Sequence, residues 1–364
     1  VDESDSIVRG RNNYTELKGL HVTCGSGWVS GDIAFVSESD EIQAPLSVHF
    51  DMQAKIGLDD AAKLTKKNIA QVISYFKTKE PTLFQIKGAI FNREYPAYAG
   101  KSFFDLSANC EKAITFKDIP LGRLSFDLHS RTHGNYLRDL ELIYAEGEGI
   151  GELDILKDSA QGNTLRYRFS LKDANQKKAQ LGLSEIENIG TKFKVSMGNN
   201  KSNLSSGRIN MTLHGEGALK DPMKHTGYGS FTINNNQLGS FQLLGPLSRI
   251  LQKTPLDFTT FDLNRMHGNF HYKNEDVYFD PLQLDGALAL IQSPGRLRLS
   301  DQSLDMRVNV SLLANSEIRQ STLKDISDII SNTLPKPLMF ELTGTLSEQK
   351  LRSIYDPRNL IPGL

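Results

Sequence analysis

Few residue groups in the chain have the types and spacing of a reactive site, and each would need a particular local structure to act. His129 and His133 stand four apart in His129-Ser130-Arg131-Thr132-His133. On a helix two such imidazoles share a face and can hold zinc, with a Glu between them serving as base. No Glu lies between them, and the surrounding alternation predicts a strand followed by a Gly134-Asn135 turn, so no metal site is expected. Gly147-Glu148-Gly149-Ile150-Gly151 has the glycine density of a phosphate-cradling loop. Such a loop must open a helix, whereas Glu152-Leu153-Asp154-Ile155-Leu156 continues as a strand with negative charge, the wrong sign beside phosphate. A hairpin turn is expected there. Ser26 in Cys24-Gly25-Ser26-Gly27-Trp28 lacks the glycines two residues to either side that a nucleophile elbow requires, so a Gly-rich β bend is expected. The 43 carboxylates offer no singled-out acid/base pair, and one Trp leaves little to stack on sugar rings. The eight histidines are scattered, and the sequons at Asn13, Asn203 and Asn210 matter only in a eukaryotic secretory pathway. The expectation is a protein that is not an enzyme, with no catalytic residue, no metal and no cofactor.

With 38% apolar and 23% charged residues, the composition suits thin β layers with one wetted face better than a thick α/β core. A formal net charge of −1 with Lys and Arg scattered supplies no basic field, which argues against nucleic acid as a partner. No apolar run approaches the roughly 18–20 residues of a membrane-spanning helix. The opening Val1-Asp2-Glu3 reads as a processing boundary, from which a targeting or anchoring segment has been removed. Cys24 and Cys110 suit either one disulfide or two packed thiols.

Leu46, Val48 and Phe50 fall at period two, the mark of a strand face. Over Asp59–Lys79 the apolar residues Ala61, Leu64, Ile69, Val72, Ile73 and Phe76 recur at helical spacing. This predicts the one longer helix, with Asp59 or Asp60 as N-cap and Pro81 as its stop. Strands are expected at Leu83–Phe91, Lys101–Ala108, Leu124–His129, Leu140–Tyr144, Leu165–Leu171, Lys192–Met197 and Arg208–Leu213. Further strands follow near Gly229–Ile233, Asn269–Lys273, Val277–Phe279, Ala287–Ile291 and Leu338–Leu346. Short helices are expected at Leu243–Leu251 and Thr322–Leu334. After Gly295 the alternation is cleanest: Leu297 and Leu299, then Leu304, Met306, Val308 and Val310, with charged or polar residues between. The fold expected is mainly β: a long curved antiparallel sheet, groove-like or half-open, with one longer and two short helices.

The stretch from Leu213 to Pro357 resembles the AsmA-like C-terminal region. Its elements occur in order: Gly227-Tyr228-Gly229-Ser230-Phe231-Thr232-Ile233, the segment Leu243–Leu251, Gly268-Asn269-Phe270, Leu284-Asp285-Gly286, Gly295-Arg296-Leu297, Leu304-Asp305-Met306 and Leu342-Thr343-Gly344-Thr345-Leu346. The resemblance implies an envelope protein of a diderm bacterium, tethered to the inner membrane by a segment outside this chain and lying in the periplasm. It also implies a β groove that binds or passes phospholipid or another acyl lipid towards the outer membrane. It divides the chain into a β-rich region over 1–210 and an AsmA-like region over 211–364, which a continuous sheet could join. Leu297, Leu299, Leu304, Met306, Val308 and Val310 are then the candidate lipid-facing residues. The same alternation equally describes a half-buried strand on an ordinary core. The alternative function is a β scaffold that engages another envelope protein without lipid cargo.

Overall fold

The computed structural model describes residues 3–11, 13–25, 27–37, 46–63, 70, 73–92, 94–98, 100–157, 162–179, 207–234, 263–286, 289–312, 338–346 and 348–354. The protein is mainly β, and its antiparallel sheet is not closed into a barrel. The chain divides into two compact units. One comprises Val1–Ser170 with Glu216–Lys220; the other comprises Leu171–Gly215 with Asp221–Leu364.

The first unit contains β1 (Glu3–Arg11), β2 (Tyr14–Cys24), β3 (Gly27–Val36) and β4 (Ser47–Ile56), then α1 (Leu58–Lys63) and β5 (Phe76–Thr78). It continues with β6 (Thr82–Phe91), β7 (Phe103–Cys110), β8 (Ile114–Phe116), β9 (Ile119–Arg131), β10 (Gly134–Tyr144) and β11 (Gly147–Leu156). Antiparallel pairing runs β1-β2-β3-β4-β6-β7-β9-β10-β11, and β5 and β8 form a short ribbon beside the start of β9. β12 (Thr164–Asn175) and β13 (Arg208–Ala218) each have residues in both units.

The second unit continues with β14 (Thr226–Asn234), β15 (Leu263–Lys273), β16 (Asp276–Gly286), β17 (Ala289–Arg298), β18 (Ser303–Leu312), β19 (Leu338–Thr345) and β20 (Gln349–Ser353). Each pairs antiparallel with the next in sequence.

Period two decides the faces. In β4 the alternation of burial along Ser-Val-His-Phe-Asp-Met-Gln-Ala-Lys-Ile sends Val48, Phe50, Met52, Ala54 and Ile56 to one side. Charged residues take the other, where Asp51 meets Lys87 of β6 at 2.9 Å. Both partners of that pair are well exposed, so it adds little stability. Trp28 of β3 lies on this polar side, stacked on His21 with ring centroids 6.4 Å apart. In the second unit the polar side carries His214 on Tyr228 and His271 on Tyr278, with centroids 4.8 and 5.0 Å apart.

Three expectations change. The helix predicted over Asp59–Lys79 is found, where described, in α1 and at Ala70 and Ile73, but it ends before Phe76–Thr78, which is a strand. Phe76 lies directly opposite Phe116, with ring centroids 4.8 Å apart, and this aromatic cross-strand pair overrides the helical spacing. Asp59 and Asp60 sit inside the first turn of α1, where negative charge meets the helix dipole, and neither is the cap. Gly147–Gly151 is the first half of β11, and the turn is Ala145-Glu146, both residues at positive φ (49° and 69°) as a two-residue hairpin requires. Likewise Gly134 and Asn135 open β10, after a turn at Thr132-His133. The helices expected at Leu243–Leu251 and Thr322–Leu334 and the strand expected at Lys192–Met197 lie outside the described residues.

Candidate functional site

In the first unit the apolar sides of the strands join into rows that cross the sheet. The longest passes Leu20, Gly31, Met52, Ile86, Leu106, Leu128, Leu137 and Leu153, each in direct register with the next, from β2 to β11. At ordinary strand spacing its seven steps cover roughly 33 Å. A parallel row holds Leu17, Ile33, Phe50, Gly88 and Phe104, and a third holds Val22, Val29, Ala54, Phe84, Ala108 and Phe126. Every side chain of the longest row is only part-buried. Gly31 sits at φ +147° with the backbone of Asp51 and Met52 against it, and Met52 Sδ lies 2.9 Å from where a Cβ would be. That glycine lets neighbouring strands close up and the methionine lie across them.

None of the residues in these rows is ionisable. The polar interruption is Ser130 with Asn135, and the hydroxyl donates to the amide oxygen at 2.8 Å, so the pair satisfies itself. On β11 the apolar-side positions Gly149 and Gly151 leave space that Leu142, Leu140 and Phe169 occupy. At one margin the sheet is closed by a compact cluster: Cys110, Ile114 and Leu124, with Leu58 of α1 and Phe76 of β5 packed against it. Cys24 and Cys110 both stand near this margin and are free thiols. They are four strands apart, about 19 Å by strand spacing, far beyond the roughly 7 Å limit between bridgeable Cα atoms.

The second unit treats its apolar side differently. Leu304, Met306, Val308 and Val310 share one face of β18 and are 5%, 5%, 6% and 1% exposed. They belong to a continuous core with Leu263, Met266, Leu282, Leu284, Ile291, Phe340 and Leu342. Leu297 lies opposite Leu304 and packs against that core. Leu299 is beyond the end of β17, in a turn whose amide donates to Glu275 O at 2.7 Å. Five of the six residues singled out by alternation therefore come together, in a closed core, and the sixth does not join them. The open apolar rows of the first unit contain none of the six. Their signal was present as the Val48 and Phe50 spacing, but period two reports only which side a residue faces.

The polar side of the first unit carries one linked ion cluster. Asp105 Oδ1 lies 2.6 Å from both His129 Nδ1 and Arg131. Partial burial pushes the Asp105 carboxyl up, but hydrogen bonds from His129 and Arg131 outweigh it and leave its pKa below the ordinary value. No nucleophile contacts this cluster among the described residues, and His133 faces solvent in the turn beyond it. Among the described residues no group of three or more metal-ligating side chains converges, and no helix is long and apolar enough to cross a membrane. Comparison with family models, with curated proteins and with solved structures finds no match in any of the three.

Proposed function

We propose that this chain is an envelope-biogenesis protein of the AsmA-like type that binds, or passes on, acyl lipid along the apolar rows of its first unit. The observation that carries the reading is the continuous row from Leu20 to Leu153, apolar throughout and part-open along its whole length. Covering it would bury methylene against methylene at about 0.8 kcal/mol each, so even one chain lying across the strands is held firmly. The absence of ionisable groups from the rows suits an acyl chain and gives acid/base chemistry nothing to work with there. The face of β18 is the weaker candidate, because a ligand would first have to displace what already buries it.

Placement in the periplasm of a diderm bacterium, attachment to the inner membrane and envelope proteins as partners rest on the resemblance over Leu213–Pro357. Motifs of that resemblance fall in β14 to β19, where they build a polar side and an apolar side.

Native mass spectrometry of protein purified without detergent, before and after delipidation, tests the lipid reading. A bound species of phospholipid mass is expected, which delipidation removes and which Ile86→Lys/Leu106→Lys fails to retain while keeping its strand content. A clean apo mass with no uptake from liposomes would sink the lipid reading and leave the open rows to a protein partner, as in the scaffold alternative.

A further inference from the structure

β1 is paired with β2 along one edge, and among the described residues no strand lies against the other. Natural sheets usually blunt such an edge, by shortening it, bulging it, placing charges on it or covering it. β1 is nine residues long and carries no extra residue of its own. The register shift beside it belongs to β2, where Gly19 and Leu20 stand opposite the single residue Ser6 and Gly19 has φ +60°. In register, Glu3, Asp5, Ile7, Arg9 and Arg11 stand opposite Thr23, His21, Lys18, Glu16 and Tyr14. At the centre of this strand Ile7 is 61% exposed.

The order of charges is self-complementary about that isoleucine. When a second copy of the strand is laid antiparallel with Ile7 opposite Ile7, Glu3 falls opposite Arg11 and Asp5 opposite Arg9. By symmetry, each pairing occurs twice. Any shift by two residues, the smallest that keeps the faces matched, sets Ile7 against a charged residue and leaves one kind of opposite-charge pair in place of two. We infer that β1 is a two-fold interface through which two copies of this chain join edge to edge, in the register that centres Ile7 on the axis. Antiparallel addition at an edge keeps corresponding faces on the same side, so the polar sides of the two copies form one surface. This inference does not depend on lipid binding.

Charge exchange and a directed cross-link test it in the full chain. Asp5→Arg alone sets Arg against Arg across the axis, and Arg9→Asp alone sets Asp against Asp. Each should weaken self-association roughly tenfold or more, because like charges directly opposite destabilise a strand pair. Mixing the two variants restores every pair in the heterodimer, so sedimentation of the mixture should recover the wild-type dimer. In a Cys24→Ser background, Ile7→Cys should form an intermolecular disulfide on mild oxidation, since directly opposed residues have Cα atoms about 4.5–5.5 Å apart. Arg11→Cys, far from its own symmetry mate, should not. A monomer at every concentration overturns the inference, as does a dimer indifferent to both charge reversals or one that cross-links through Arg11→Cys but not Ile7→Cys.

Discussion

The two units use the same strand alternation to different ends. In the second, the apolar side closes: Leu263, Ile291 and Val310 are each 1% exposed. In the first, the row from Leu20 to Leu153 on the corresponding side stays part-open, and the cluster at Cys110, Ile114 and Leu124 closes one margin. The contrast separates two properties that alternation runs together. Period two states which side of a sheet a residue occupies; whether that side is covered depends on what else the fold lays against it. A closed side contributes stability, and an open one keeps the same free energy in reserve for whatever binds it.

Truncation should show the largest difference. Phe340→Ala, at 4% exposure, should cost roughly 3–5 kcal/mol in urea unfolding, whereas Leu106→Ala in the open row should cost about 1 kcal/mol or less. Equal losses would mean that the two sides are equally packed. Glycine substitutions ask the converse question, whether the strands themselves pack alike in both units. A Cβ at Gly31 would lie 2.2 Å from Asp51 O, and one at Gly229 would lie 2.4 Å from Thr212 O and 2.5 Å from the Phe270 ring. Gly31→Ala and Gly229→Ala should therefore each cost about 1–3 kcal/mol, the same in both units despite the difference in cover.

Smaller effects concern the edges of the first unit. The Ala145-Glu146 turn holds two non-glycine residues at positive φ, so Ala145→Asn/Glu146→Gly should raise stability by about 1 kcal/mol without touching either face. The smallest is electrostatic. Asp105 has its folded-state pKa depressed, so its contribution is complete above the ordinary value of 3.8 and disappears as pH falls through the depressed one. Asp105→Asn should lower stability slightly at neutral pH, where the contribution is complete, and converge with the wild type as pH falls through that window. The partial exposure of the cluster keeps the effect small.

Much of the architecture is legible in the sequence, because hairpin-connected strands declare themselves through local alternation and turns. The strands at Leu83–Phe91 and Leu338–Leu346 are found within a residue of their expected limits. The failures have specific causes. Ala61 to Phe76 has helical spacing, yet Phe76 belongs to a strand because its partner Phe116 lies forty residues on, beyond the reach of any local pattern. Gly147–Gly151 reads as a turn because glycine usually ends strands. Here Gly149 and Gly151 alternate along β11 to make space for Leu140, Leu142 and Phe169, which only the assembled sheet reveals. The candidate site was legible as a kind of surface and not as a place. The most regular alternation, from Leu297 to Val310, marks the best-covered strands, and the open rows come from less regular stretches such as Phe84–Ile86 and Phe126–Leu128.

Trp28 is the only tryptophan in the chain and stacks on His21 in the first unit. Excited selectively, its fluorescence therefore reports on the part-open sheet alone, while backbone dichroism averages over both units. Following the two signals through one thermal ramp, with no label attached, would reveal whether the molecule melts as a single cooperative body or whether the sheet with the open side lets go first.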